Sequence, residues 1–266
     1  MSTGLPGPAT SPGTFPGPGF PDGSPGIARG PGVPGSVGQD IVFYYGDGEL
    51  DKLTTYRCAV LQPDFYRPAE LAELAAGGVR LLGYLSVTED VDPDPAPWHR
   101  PSRNPDWGGH FVHVGHPGWV AHVLGQATAA LDAGFHGLFL DCLNVEFTYP
   151  EDLPHTLALI GALRAAAPDA YLLANRGFEL LPQLGELVDG VLFESFSARW
   201  TDEGYAPWPP ETLEVHAQYA ERLLHLDIDL FALDYADTPA LTEFARRRAE
   251  RFGMVCSISD KALSRV

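Results

Sequence analysis

Two carboxylates, Asp141 and Glu194, each close an apolar run, in "GLFLD" (137–141) and "GVLFES" (190–195). A carboxylate at the edge of a core is costly unless something pairs with it or uses it. Two of them facing one mouth are the minimal equipment for hydrolysing a glycosidic bond. One attacks or stabilises an oxocarbenium-like centre, and the other protonates the leaving oxygen. Different surroundings would let one stay ionised while the other holds a proton near neutral pH. A separation of about 5–5.5 Å would mean retention of configuration, and roughly 6.5–9.5 Å inversion.

Further polar groups fall at the ends of other apolar runs. Tyr45 closes "IVFYY" (41–45), Asp64 and Tyr66 follow "CAVLQ" (58–62), and Ser86 and Glu89 follow "RLLGYLS" (80–86), which also contains Tyr84. Asn175 and Arg176 follow "AYLLA", and Asp234 and Tyr235 lie in "LFALDYA". The side chains of Tyr45, Asp64, Tyr84, Ser86, Glu89, Asn175, Arg176, Asp234 and Tyr235 are candidate sugar ligands, with plain structural hydrogen bonding as the alternative at each. All five tryptophans fall in two regions: Trp98, Trp107 and Trp119 after the third run, and Trp200 and Trp208 after the sixth. Aromatic faces in such loops stack on sugar rings, or simply pack the loops down. Trp107 and Trp200 are taken as the stacking candidates.

Other chemistries find less support. His110, His113 and His116 lie close together, but their spacing is not that of a H-E-x-x-H site, so no metal is expected. Ser86 and Ser195 lack a G-x-S-x-G elbow, and Cys142 has no cysteine-hydrolase signature around it. No cofactor is called for.

The elements that must position these groups are short, continuously apolar runs separated by helical patterns. Continuous apolarity suits strands buried on both faces of a parallel sheet. "RPAELAELAAGG" opens on Pro68 and closes on Gly77, "GWVAHVLGQATAALDAG" stops at Gly134, and Thr238, Pro239 and Gly253 bracket the last helix. Segments 151–166 and 211–226 also read as helices, and 178–187 as a short one. Eight strands alternating with helices predict a (β/α)8 TIM barrel over 39–266 as a single domain. The competing doubly wound sheet lacks its phosphate fingerprint. In a barrel, active sites are built at the C-terminal strand ends, so the groups above would meet at one mouth.

Residues 1–38 are dominated by Gly and Pro, as in "SPGTFPGPGFPDGSPG", and are expected to form a disordered leader. The 266-residue chain carries 17 Lys and Arg against 35 Asp and Glu, a formal charge of −18. That balance argues against nucleic acid, whose phosphates would be repelled. No apolar stretch approaches the length of a membrane span, and "MSTGLPGPAT" has no signal-peptide character, so the chain as written would stay in the cytoplasm or leave by an unusual route. Three cysteines, Cys58, Cys142 and Cys256, are too few and odd for a disulfide framework. A monomer is expected.

The segments "GYLSVTE" (83–89), "GFHGLFLDCLN" (134–144), "LLANRGFELL" (172–181), "VDGVLFESF" (188–196) and "LDYAD" (233–237) resemble, in order and spacing, the endo-α-1,4-polygalactosaminidases, glycoside hydrolase family 114. The resemblance implies a barrel that cleaves α-1,4 links in galactosamine-containing polysaccharide, with its catalytic pair on Asp141 and Glu194. By analogy with retaining α-glycosidase barrels, Asp141 would be the nucleophile and Glu194 the acid/base. A partly deacetylated galactosaminan is cationic, which gives the acidic balance a functional meaning beside plain solubility. The chain departs from the family in three ways. It lacks the usual secretion signal, it has Cys142 and Asn144 where Thr and a further Asp are more common, and it carries the Pro/Gly leader. The alternatives are a carbohydrate-binding barrel without catalysis, a hydrolase of another α-linked sugar, and an interaction protein using its leader. The carboxylate separation discriminates the first, the products on defined polymers the second, and deletion of residues 1–38 the third.

Overall fold

The computed structural model describes residues 39–266 apart from 93, and the expected leader at 1–38 lies outside the described residues. The eight apolar runs form parallel strands in sequential order: β1 (Gln39–Tyr44), β2 (Tyr56–Leu61), β3 (Arg80–Ser86), β7 (Gly137–Asp141), β8 (Tyr171–Asn175), β9 (Gly190–Glu194), β12 (Asp229–Tyr235) and β13 (Val255–Ser259). Their pairing is parallel throughout. The first and last strands lie against each other, and the Tyr45 N–H donates to the Leu263 carbonyl at 2.8 Å, so the barrel is nearly closed.

Because side chains alternate across a strand, each run feeds two cores. One parity, with Phe43, Val60, Leu82, Phe139, Leu173, Leu192 and Leu233, fills the barrel interior. The other, with Val42, Leu61, Leu81, Leu138, Ala174, Phe193 and Ala232, meets the surrounding helices. This two-sided burial is why the runs are apolar at every position. Gly137 opens β7 where a Cβ would come within 2.1 Å of the Tyr171 carbonyl oxygen, so only glycine lets the two strands approach there.

The helices follow their end signals. Helix α2 (Pro68–Ala76) starts on proline, and α3 (Pro117–Ala133) ends at Gly134 with φ 118°. In α7 (Pro239–Arg251) the Thr238 hydroxyl accepts the Leu241 N–H. Helices α4 (Leu153–Ala166) and α6 (Pro210–Leu223) occupy the expected segments. The short helical segment at 178–187 resolves into a 3-10 turn (Phe178–Leu180) and α5 (Gln183–Leu187). After β1 the chain makes only the four-residue α1 (Leu50–Leu53).

The two tryptophan-bearing regions form small antiparallel sheets, which the apolar runs did not reveal. Strands β4 (Glu89–Asp90), β5 (His99–Arg103) and β6 (His110–Val112) make an insertion after β3. A hairpin, β10 (Ala198–Thr201) and β11 (Gly204–Pro207), follows β9. Both stand on the C-terminal side of the barrel strands. No helix among the described residues is long and apolar enough to cross a membrane.

Candidate active site

The interior parity of most of the strands carries a polar end group into one cavity of about 690 Å3. Phe139 leads to Asp141, Leu173 to Asn175, Leu192 to Glu194, Leu233 to Tyr235, and Leu82 to Tyr84 and Ser86, two residues at a step. Tyr45, Glu89 and Trp107 complete the predicted residues that line it. Asp141 and Glu194 come from strands that flank β8, and Asn175 stands between them.

Asn175 joins the two carboxylates. Its Nδ2 donates to Asp141 Oδ1 at 2.8 Å and to Glu194 Oε2 at 2.7 Å. The reverse amide orientation would aim an oxygen at two carboxylates, so the hydrogen-bond network assigns this one. Asp141 also accepts from the Cys142 backbone N–H at 2.8 Å and from the Tyr84 hydroxyl. Glu194 accepts from the Tyr235 hydroxyl at 2.5 Å. Burial, and then the Glu194 charge, push the Asp141 carboxyl above its ordinary value, while the donors from Asn175, Cys142 and Tyr84 pull the other way. Burial and the same carboxylates raise the phenols of Tyr45, Tyr84 and Tyr235, so each remains a neutral group able to donate.

The residue after each central side chain turns the backbone sharply. Cys142, Arg176 and Ser195 have φ of 63°, 59° and 53°. None is glycine, and left-handed backbone at three consecutive strand ends is unusual outside functional sites. The Cys142 turn points its own N–H at Asp141. Its carbonyl accepts the Thr88 hydroxyl, which ties this strand end to the insertion. Burial, reinforced by the charges of Asp141 and Glu89, holds the Cys142 thiol well above its usual range, so it is no ready nucleophile.

Glu89 is a third carboxylate in the cavity. Both its oxygens accept from Asn104 Nδ2, at 3.0 and 3.1 Å. Burial raises its pKa, the Asn104 bond lowers it, and the Asp141 charge raises it further, for a net upward shift. Ser86 lines the cavity with its hydroxyl donating to the Glu89 carbonyl at 2.6 Å. Val91, Trp107 and Phe147 are exposed at the rim.

Three predicted ligands stand elsewhere. Asp64 is exposed on a 3-10 turn (Pro63–Phe65), and Gln62 lines the cavity in its place. Asp234 is fully buried on the helix-facing parity of β12, where one oxygen accepts the backbone N–H groups of Ser197 at 2.6 Å and Ala198 at 2.8 Å. Arg176 also faces away from the interior, its guanidinium 5.4 Å from the Phe193 ring and 5.8 Å from that of Phe178. The first is displaced by its loop, and the other two lie one residue out of phase with the interior.

The tryptophans divide unequally. Trp119 is buried with its indole N–H on the Val87 carbonyl, Trp98 donates to Asp90, and Trp208 donates to the Ser195 carbonyl. These three brace the loops. Trp200, a predicted stacking residue, is not in the cavity lining, because the Lys261 ammonium covers its ring at 3.5 Å from the centroid. Asn104 and Lys261 are lining residues without a signal in the apolar runs, since both belong to loops. His110 stacks on His99 with ring centroids 4.1 Å apart. Among the described residues no group of three or more His, Cys, Asp or Glu is placed to hold a metal ion.

An eight-stranded parallel barrel with a bridged carboxylate pair at its C-terminal mouth defines a glycoside hydrolase. The glycoside hydrolase domain of PelA from Pseudomonas aeruginosa superposes with a TM-score of 0.76 at 27% identity, over 85% of this chain and 96% of that one. Ega3 of Aspergillus fumigatus, solved in complex with galactosamine, shares the fold with a TM-score of 0.64 at 13% identity, over 84% and 91%. An uncharacterized protein of Deinococcus radiodurans is 25% identical over 217 residues, 75% of this chain and 70% of the relative. No family model matches the chain. In sequence and structure alike, the chain resembles glycoside hydrolase family 114.

Proposed function

We propose that this glycoside hydrolase cleaves α-1,4 links in a galactosamine-containing polysaccharide with retention of configuration, Asp141 acting as nucleophile and Glu194 as acid/base. The observation that carries the retaining mechanism is the Asn175 bridge. Two bonds of 2.8 and 2.7 Å from one nitrogen place the accepting oxygens no more than about 5.5 Å apart. That separation suits direct attack and leaves no room for the water that inversion needs between carboxylates roughly 6.5–9.5 Å apart. It also speaks against a binding barrel whose carboxylates had drifted out of catalytic range.

The roles follow from the hydrogen bonds. Three donors converge on Asp141 and oppose the burial and the Glu194 charge that raise its carboxyl, which supports the anion that must attack. Glu194 is then the acid/base of the pair. Asp141 attacks the anomeric carbon as Glu194 protonates the departing glycosidic oxygen. In the second step Glu194 takes a proton from water, which attacks the same carbon and releases Asp141.

The galactosamine assignment rests on the family resemblance, on the galactosamine complex of Ega3, and on Glu89, a third carboxylate suited to a sugar ammonium. Partly and fully acetylated galactosaminan should both be tested, with products followed by mass and by the NMR signals of the anomeric proton. The α-anomer is expected first. Initial release of the β-anomer would overturn the mechanism, and cleavage of a different α-linked polymer in preference would overturn the substrate. Asp141→Ala and Glu194→Ala should each lose about a thousandfold or more in kcat on polymer, with thermal unfolding still cooperative.

A further inference from the structure

The cavity mixes charges in an unexpected way. Its strand-end side is acidic, with Asp141, Glu194 and Glu89, yet Lys261, one of only two lysines in the chain, stands in its lining. Lys261 belongs to the segment after β13, where its backbone N–H donates to the Tyr205 hydroxyl at 3.1 Å. The carboxylate next to it in sequence, Asp260, is engaged by Ser264 and Arg265. Among the described residues no carboxylate lies within ion-pair distance of the Lys261 ammonium. It rests instead on two aromatic faces, 3.5 Å from the Trp200 centroid and 5.2 Å from that of Trp107. Two aromatic faces so close hold the ammonium in a fixed place.

We propose that Lys261 is a specificity residue, which excludes a cationic sugar from the aromatic side of the cavity and so selects a neutral, N-acetylated unit there beside a free-amine unit at the carboxylates. This rests on the proposed function above and narrows its substrate to a mixed acetylation pattern. Two like charges a few ångströms apart repel even near a protein surface, whereas an acetamide carries no charge and offers a carbonyl to the ammonium. Trp107 supplies an apolar face for the same unit, being 61% exposed beside the ammonium.

The test compares kcat/KM on partly acetylated and fully deacetylated galactosaminan for the wild type, Lys261→Met and Lys261→Arg. Methionine keeps an aliphatic stem on the tryptophans and removes the charge. Arginine keeps the charge. The wild type should prefer the partly acetylated polymer, and that preference should fall about five- to tenfold in Lys261→Met at low salt. The drop should shrink as ionic strength rises, because Lys261 is exposed. Lys261→Arg should retain the wild-type ratio. An unchanged ratio in Lys261→Met, or an arginine variant that behaves like the methionine one, would overturn the role of charge while leaving the hydrolase assignment intact. A wild type that cleaves neither polymer would remove the substrate reading, and this inference with it.

Discussion

Asn175 shows how much of this site depends on one uncharged side chain. It lies on the strand between the two carboxylates, 6% exposed, and spends both amide hydrogens on them. Without it, the carboxylates would lose the one donor they share, leaving Cys142 and Tyr84 on Asp141 and Tyr235 on Glu194. Asn175→Ala should therefore lower kcat/KM by about a hundredfold or more. The variant should also move the acid limb of the pH profile upward, because the Asp141 carboxyl loses a donor that now opposes burial and the Glu194 charge. A profile of unchanged shape would mean that Asn175 only packs. Asp141 and Glu194 were legible in the sequence because each ends an apolar run on the interior parity. Asp234 ends such a run too, one residue early, and so points to the helices. Counting in steps of two from Phe139, Leu192 and Leu233 separates the three, and that count requires knowing which parity faces inward. Lys261 and Asn104 gave no such signal, because loop residues reach a site by the path of the loop rather than by a period.

The elements explain what the misplaced carboxylate does. Asp234 anchors the start of the β10–β11 hairpin to β12 through two backbone N–H donors. The hairpin in turn carries Trp200, on which Lys261 rests. Asp234→Ala would leave two buried donors unpaired and should destabilise the fold by about 2–4 kcal/mol, measured by urea denaturation. Burial pushes the Asp234 carboxyl up to about 6 from an ordinary 3.8, against the pull of its donors. The folded state thus holds this proton more tightly than the unfolded state. Its contribution is complete below the ordinary value and is lost as pH rises from about 4 to 6, on the order of 3 kcal/mol. Asp234→Asn keeps an oxygen for both backbone donors and cannot titrate. The difference in stability between wild type and Asp234→Asn should shift in the mutant's favour across that window, and a constant difference would show that the carboxylate is not perturbed by its burial. Nothing in the strand pattern announced the hairpin or the β4–β6 insertion, whose strands are only two to five residues long and lack apolar alternation.

At the scale of the molecule, charge bears on the proposed substrate before any contact forms. Residues 1–38 contain one Asp and one Arg, so the whole formal charge of −18 belongs to the barrel. A field of that size attracts a polycation and speeds encounter, an effect that ionic strength screens within about 10 Å at 0.1 M salt. It explains nothing about the fold, and an acidic surface serves solubility at the same time, so composition alone left the two readings level. They separate in a salt titration. On a largely deacetylated galactosaminan, kcat/KM should fall about tenfold or more between roughly 0.02 and 0.3 M salt, as electrostatic steering is lost. On fully acetylated oligomers the same titration should leave the kinetics nearly flat, because a neutral chain feels no such field. Most of the loss should appear in kcat/KM rather than kcat, since steering acts on capture and leaves the bound complex to the Asp141 and Glu194 chemistry. Equal salt dependence on charged and neutral polymers would assign the acidic surface to solubility alone.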